Sequence, residues 1–194
     1  MKKIIIGIVF SFLIFNLYSI PPRDNKTGSV IGIQVSVSGL FAPQVFNGIV
    51  FVKLKNGNDF TSGEKVVLSK SRSGFNIYLY NVEPGTYVAV GGSYTSGGGH
   101  DSVVFFSTEM VAKTKIVVKS NSITYMGKYT VSTGKHVKDK GDKVQRHYGT
   151  NVDSAYPPYV GKIKRSSNTE KDKEAFMKST IRLLKKSEWS DLVG

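Results

Sequence analysis

Between Ser29 and Thr133 apolar and polar residues alternate in short runs separated by turn residues. Ile31, Ile33, Val35 and Val37 alternate with Gly32, Gln34, Ser36 and Ser38, the period of a strand with one buried face. Gly48 to Lys55 repeats the pattern, with Val50, Val52 and Leu54 on one side and Lys53 and Lys55 on the other. Phe75, Ile77 and Leu79 alternate with Asn76, Tyr78 and Tyr80, and Glu83-Pro84-Gly85 supplies the next turn. Val66–Leu68, Thr86–Val90, Ser102–Phe106, Lys115–Lys119 and Ile123–Val131 bring the expected strands to about eight. Short strands punctuated this densely by Gly, Pro and Asn predict a mostly β fold, an antiparallel β-sandwich of seven to eight strands. Ile33, Val35, Val52, Leu79 and Val90 are the expected core. Ser107-Thr108-Glu109 marks the cap of one helical turn running to Lys113.

The pattern changes beyond Thr133. Residues 134–169 are polar and rich in Lys and Arg, and read as a basic linker. Asp172–Lys186 then has helical period: Phe176, Met177, Thr180, Ile181, Leu183 and Leu184 share a side, with Lys173, Lys178, Arg182 and Lys185 largely elsewhere. Phe176, Ile181 and Leu184 are expected to pack on a partner surface, because a helix of this length is marginal alone in water. Trp189, the only tryptophan, is expected to turn inward after it.

The chain opens with Lys2 and Lys3, then Ile4 to Leu17, apolar except for Gly7, Ser11 and Asn16, and reaches Pro21-Pro22 soon after. A short apolar run behind two lysines reads as an export signal, with cleavage expected after Ser19 and a mature chain starting near Ile20. The competing reading is an uncleaved anchor, since Ile4–Ile20 reaches the lower edge of the roughly 17–25 residues that span a bilayer. The organisation expected is a signal peptide over 1–19, a β-sandwich domain over 20–133, a linker over 134–169 and a C-terminal helix over 170–194. The protein is placed outside the cytoplasm: in the periplasm, at the outer surface or secreted.

Composition narrows the chemistry. The 194 residues include no cysteine, which excludes disulfides, thiolate metal sites, cysteine nucleophiles and a lipid-modified cysteine. Net charge is +13; residues 20–133 carry 11 Lys/Arg against 6 Asp/Glu, and residues 134–194 carry 14 against 8. The tail cations Lys135, Lys138, Lys140, Lys143 and Arg146 suit a weak contact with an anionic membrane surface, an acidic glycan or a protein, beside the plainer reading of solubilising charge. Nucleic acid is not an expected partner: no RRM, KH or helix-turn-helix signature is present.

Val82-Glu83-Pro84-Gly85-Thr86-Tyr87-Val88-Ala89-Val90 resembles the Pro-Gly-Thr-Tyr strand opening of transthyretin-like and carboxypeptidase-regulatory-like β-sandwiches. Val117 to Val131, with Tyr125-Met126-Gly127 after a polar turn, resembles the closing hairpin of small exported β-sandwich proteins of bacterial envelopes. The resemblance covers roughly Ile31–Val131. It implies an accessory or binding module, a tyrosine packed between sheets, and no catalytic residue.

Candidate chemistry is sparse. His100, His136 and His147 stand in no metal-ligand spacing, no G-x-S-x-G elbow occurs, and no metal or cofactor is expected. His100-Asp101, beside the glycine-dense run Gly91–Gly99, is either a solvated loop pair or half of an acid–base pair. Asn76, Tyr78, Tyr80 and Tyr94 are candidates for sugar stacking and amide hydrogen bonding, if they face outward and are not packed. The expectation is an exported, non-enzymatic binding protein of the cell envelope. Two alternatives stand beside it: a hydrolase using His100 with acidic residues brought together by folding, and a structural envelope protein held by its leader.

Overall fold

The structure, a computed structural model, describes residues 20–25, 27–38, 43–57, 59–95, 99, 101–136, 147–148 and 159–194. The described residues form one mixed sheet of eleven strands that rolls nearly into a barrel. In chain order the strands are β1 (Ser29–Val37), β2 (Gln44–Val45), β3 (Gly48–Leu54), β4 (Gly63–Ser69), β5 (Ser71–Ser73), β6 (Asn76–Val82), β7 (Gly85–Thr95), β8 (Asp101–Phe106), β9 (Ile116–Val118), β10 (Ile123–His136) and β11 (Tyr159–Ser167). Among the described residues two α-helices accompany them, α1 (Thr108–Lys113) and α2 (Glu170–Leu184), with a 3-10 turn at Ser190–Leu192 after α2. The main path across the sheet is β4-β3-β7-β8-β11-β10-β1-β6-β5, with β2 beside β1 and β9 beside β7.

The architecture is the β class that alternation predicts, with three differences. First, β1 runs parallel to β10, and β8 runs parallel to β11, so the sheet is mixed where alternation suggested purely antiparallel pairing. Second, the stretch read as a linker contributes strand: β10 continues to His136, and Tyr159–Ser167 forms β11. β11 holds because it is hydrogen-bonded on both sides, antiparallel to β10 and parallel to β8, while Tyr159 and Ile163 pack on the core. Backbone pairing here outweighs a polar sequence. Third, β7 carries on past Val90, where the expected strand ended, through Gly91-Gly92-Ser93-Tyr94-Thr95, because β3 and β8 flank it on either side.

The main core contains the five expected residues: Ile33, Val35, Val52, Leu79 and Val90 are all buried. Tyr87, from the Pro-Gly-Thr-Tyr segment, is also inside, and its hydroxyl donates to the Glu83 carbonyl at 3.0 Å. Ser107 caps α1, its hydroxyl accepting from the Met110 amide. Burial pushes the Tyr87 and Tyr129 phenols up to about 12.

A second, aromatic cluster lies on the opposite face of β1, β6 and β10. Val30, Tyr78, Tyr80 and Tyr125 point there, and Phe176, Leu184 and Trp189 cover them. α2 starts with a reciprocal cap. The Thr169 hydroxyl accepts from the Asp172 amide at 3.2 Å, and the Asp172 carboxylate accepts from the Thr169 amide at 3.3 Å. The buried stripe of α2 is Phe176, Thr180 and Leu184, at successive intervals of four. Ile181, expected on that stripe, is instead 38% exposed, one position round the helix from Thr180.

Candidate functional site

The residues singled out for sugar stacking are mostly consumed by this packing. Asn76 is buried; its amide nitrogen donates to Tyr78 Oη at 3.0 Å and to Ser179 Oγ at 2.9 Å, and its carbonyl oxygen accepts from Gln34 Nε2 at 2.6 Å. Tyr78 stacks on Phe176 with ring centroids 5.8 Å apart, and Tyr80 meets Trp189 at 5.3 Å. Tyr94 is in the main core, edge-on to Phe46 at 6.0 Å. Tyr78, Tyr80 and Tyr94 are all buried, so none of the three stands out as an exposed stacking platform. Alternation showed that they share faces; it did not show that α2 covers one of those faces.

The second group of candidates is dispersed. Asp101 is exposed at the start of β8, and one of its carboxylate oxygens accepts from Thr95 Oγ1 at 2.7 Å. His100, Lys138, Lys140, Lys143 and Arg146 lie outside the described residues; Lys135 is on β10. His147 packs edge-on to Tyr148, whose hydroxyl donates to the Phe60 carbonyl at 2.8 Å. Among the described residues no group of three His, Asp or Glu side chains gathers closely enough to hold a metal ion. No described helix is long and apolar enough to cross a membrane, and the leader lies outside the described residues.

Among the described residues, two hollows on the surface stand out. The larger, about 370 Å³, lies where the rolled sheet fails to close. β4 pairs with β3, and then β5 pairs with β6, so one nearly continuous strand changes partner around Lys70. Ser69 Oγ donates to the Tyr78 carbonyl at the point where the two edges meet. Val67, Leu79, Val82 and Tyr87 line the opening, with Lys65 and Glu83 among its charged residues. Nearby, Lys53 Nζ is 3.0 Å from the Glu83 carboxylate and 3.7 Å from that of Glu64. The hydrogen bond that Lys53 donates to Glu83 is the main reason its ammonium is held above its ordinary range, and Lys53 in turn lowers Glu83.

The smaller hollow, about 250 Å³, lies on the polar side of β1 and β10 and is lined by Gln34, Ser36, Pro43, Phe75, Lys128 and Thr130. Phe75 was expected inside β6, alternating with Asn76. It stands instead 52% exposed in the two-residue turn between β5 and β6, where Ser73 pairs with Asn76.

A third feature joins the two ends of the domain. Trp189 Nε1 donates to the Pro21 carbonyl at 2.9 Å. The Arg23 guanidinium lies over the Trp189 ring at 5.2 Å, forms an ion pair with Asp191 and donates to Asn121. The Arg23 amide donates to the Glu188 carboxylate at 3.0 Å. Pro21 to Arg23 thus bind the segment that follows α2.

The fold defines a β-rich protein of the sandwich and barrel class. No protein-family model and no curated protein sequence matches the chain. Among solved structures it is similar to GBS52, the minor pilin of the gram-positive pathogen Streptococcus agalactiae, at 13% identity and a TM-score of 0.29. The match covers 60% of this chain and 48% of the pilin, so it spans about half of that protein's length. What holds of the transthyretin-like resemblance is the coarser statement, a β-rich fold compatible with a sandwich.

Proposed function

We propose that this chain is an exported, non-enzymatic β-domain of the cell envelope that acts by binding a protein, glycan or other envelope component. The observation that carries this reading is the clasp between Pro21–Arg23 and Trp189–Asp191. The residues directly after the expected cleavage point are part of the folded domain, and Ile20 packs on the aromatic cluster. Cleavage after Ser19 removes the leader and leaves every described contact in place. Binding is favoured over catalysis because the candidate polar groups serve the fold: buried Asn76 satisfies Tyr78, Ser179 and Gln34, and exposed Asp101 holds Thr95. The open features are surfaces, the seam beside β4 and the polar hollow at Phe75.

Cell fractionation with N-terminal sequencing of the native protein tests this. The expected result is a mature chain starting near Ile20 in an extracytoplasmic fraction. An intact Met1 in the cytoplasmic fraction overturns the proposal. Recovery in membranes resistant to high salt, with the leader retained, supports anchoring in place of release.

A further inference from the structure

We propose that the polar face of β1, β10 and β11 binds an acidic glycan, with Phe75 as its stacking platform. This rests on the reading of the chain as an envelope-binding protein and gives its partner a chemistry.

The first observation is charge. β1, β10 and β11 are neighbours in the sheet, and none of the three contains an aspartate or glutamate. Their register sets Gln34 beside Lys128 and Lys128 beside Ser167. One pair further along, Ser36 lies beside Thr130 and Thr130 beside Arg165; Ser132 then faces Lys162. Lys164 Nζ reaches Ser38 Oγ at 2.9 Å, and the hydroxyls of Ser36 and Thr130 are 3.3 Å apart. Lys128, Lys162, Lys164 and Arg165 are exposed. The nearby carboxylate of Asp172 is bound by Ser167 and Thr169 at the start of α2. Four cations interleaved with hydroxyls and an amide, on strands without a carboxylate, make a surface complementary to a polyanion that also carries hydroxyls.

The second observation is shape. The 250 Å³ hollow sits on this face and sets Phe75 against Gln34, Ser36, Lys128 and Thr130. Phe75 does not contribute to either buried cluster: it is 52% exposed at the tip of a tight turn, following Gly74 at φ +59°. Two-residue hairpin turns favour Asn, Asp and Gly, so an aromatic ring there is not explained by turn chemistry. A flat apolar ring beside an amide, two hydroxyls and an ammonium matches a sugar ring. The C–H face of the sugar covers Phe75, its hydroxyls meet Gln34, Ser36 and Thr130, and an acid group reaches Lys128. Lys162, Lys164 and Arg165 extend the cationic row for further acidic units. A neutral glycan brings no counter-charge to that row.

The test is calorimetry on the full exported chain with three probes: a hyaluronan octasaccharide (carboxylate), a heparin octasaccharide (sulfate) and neutral chitohexaose. Vesicles of phosphatidylcholine and phosphatidylglycerol make a fourth arm. At least one acidic oligosaccharide is expected to bind about tenfold or more tightly than chitohexaose. Phe75→Ala is expected to weaken that binding severalfold at an unchanged melting temperature, and Lys128→Gln with Lys164→Gln to weaken it and flatten its salt dependence. Which acidic probe wins distinguishes a carboxylate from a sulfate or phosphate ligand. Failure of both acidic probes overturns the proposal. So does binding indifferent to Phe75→Ala, which is unspecific charge attraction, or vesicle binding that exceeds oligosaccharide binding. None of these outcomes bears on the fractionation result, so failure here is distinguishable from failure of the envelope assignment.

Discussion

The ring of Phe176 rests directly on Gly32. A Cβ built on Gly32 would lie 2.1 Å from Phe176 Cζ, far inside van der Waals contact. The ring lies between Tyr125, at a centroid distance of 4.5 Å, and Tyr78, at 5.8 Å. Glycine in the middle of a strand is unfavourable for strand stability, and here its lack of a side chain makes the seat for α2. Gly32→Ala is therefore expected to destabilise by about 1–3 kcal/mol through overpacking. Phe176→Ala is expected to cost about 3–5 kcal/mol through loss of the buried ring. Since the two residues share one contact, the double variant should lose less than the two single losses together. Denaturant titration of the four proteins checks this; strict additivity would mean that the ring does not sit on Gly32.

The clasp between Pro21–Arg23 and Trp189–Asp191 gives a spectroscopic prediction. Trp189 is fully buried and its indole donates to Pro21, so its fluorescence should be blue-shifted in the folded protein. A chain starting at Asp24 lacks Pro21 and Arg23. It should show red-shifted emission and a lower midpoint, while the core strands stay folded. Trp189→Phe retains ring burial and removes the indole donor, with an expected cost of about 0.5–1.5 kcal/mol. Emission unchanged by the truncation would mean that the N-terminal segment does not cover the indole.

Much of the strand pattern was legible because one face of each strand enters the core, so that Ile33, Val35 and Leu79 announce themselves by alternation. Partner choice was not. Nothing in Ile31–Val37 distinguishes a parallel neighbour such as β10 from an antiparallel one, because side-chain period is the same in both. β11 escaped notice because Lys162, Lys164, Arg165 and Ser166 leave it little apolar signal, and its order comes from backbone bonds to β8 and β10. Thr169 followed three residues later by Asp172 was a readable helix start. For the candidate site, the aromatic set Tyr78 and Tyr80 was visible as a shared face. Its cover was not, since the helix that supplies it lies about a hundred residues further along, as the bonds from Asn76 to Ser179 and between Tyr78 and Thr180 show. Phe75 was misread as a strand residue because a two-residue turn does not break the alternation around it.

Acid should loosen α2 first. Hydrogen bonds from Ser167, then from Thr169, hold the Asp172 carboxyl below its ordinary value. A carboxyl whose pKa is depressed in the fold contributes stability that is fully present above its unfolded value, near about 4, and lost as pH falls through the folded one. Helical circular dichroism should therefore decline below about pH 4, and Asp172→Asn should remove part of that acid dependence. Identical acid profiles for the two proteins would exclude this cap as the sensitive element.

The core and helix-surface positions should respond differently. Val35 is 1% exposed in the middle of β1, and Val35→Ala is expected to cost about 1–3 kcal/mol from lost burial and an incompletely closed cavity. Ile181, at 38% exposed, sits on the outer flank of α2, and Ile181→Ala is expected to change stability by less than about 1 kcal/mol. A reversal of this order would put Ile181 in the packed stripe in place of Thr180.

Removing residues 170–194 asks whether α2 belongs to the domain or to a partner. The helix and the turn after it cover Val30, Tyr78, Tyr80 and Tyr125, and the hydroxyl of Tyr78 lies 3.2 Å from Thr180 Oγ1. A truncated chain exposes these rings together with the face of β1 around Gly32, an apolar patch of the kind that soluble proteins keep covered. It should unfold at lower denaturant, bind a hydrophobic dye in its native state and tend to self-associate. The main core is a separate cluster built on the opposite face of β1, β6 and β10, so the β-sheet circular dichroism of the truncated chain should persist at low temperature. Burial raises the pKa of the Tyr80 and Tyr125 phenols, so in the intact chain these two should resist ionisation well above the ordinary tyrosine range of about 10. In the truncated chain both should titrate as exposed phenols, which absorbance near the tyrosinate band would read directly. Truncation that leaves the tyrosine titration, dye binding and midpoint unchanged would show that α2 does not sit on this sheet in solution and that its apolar stripe serves another molecule.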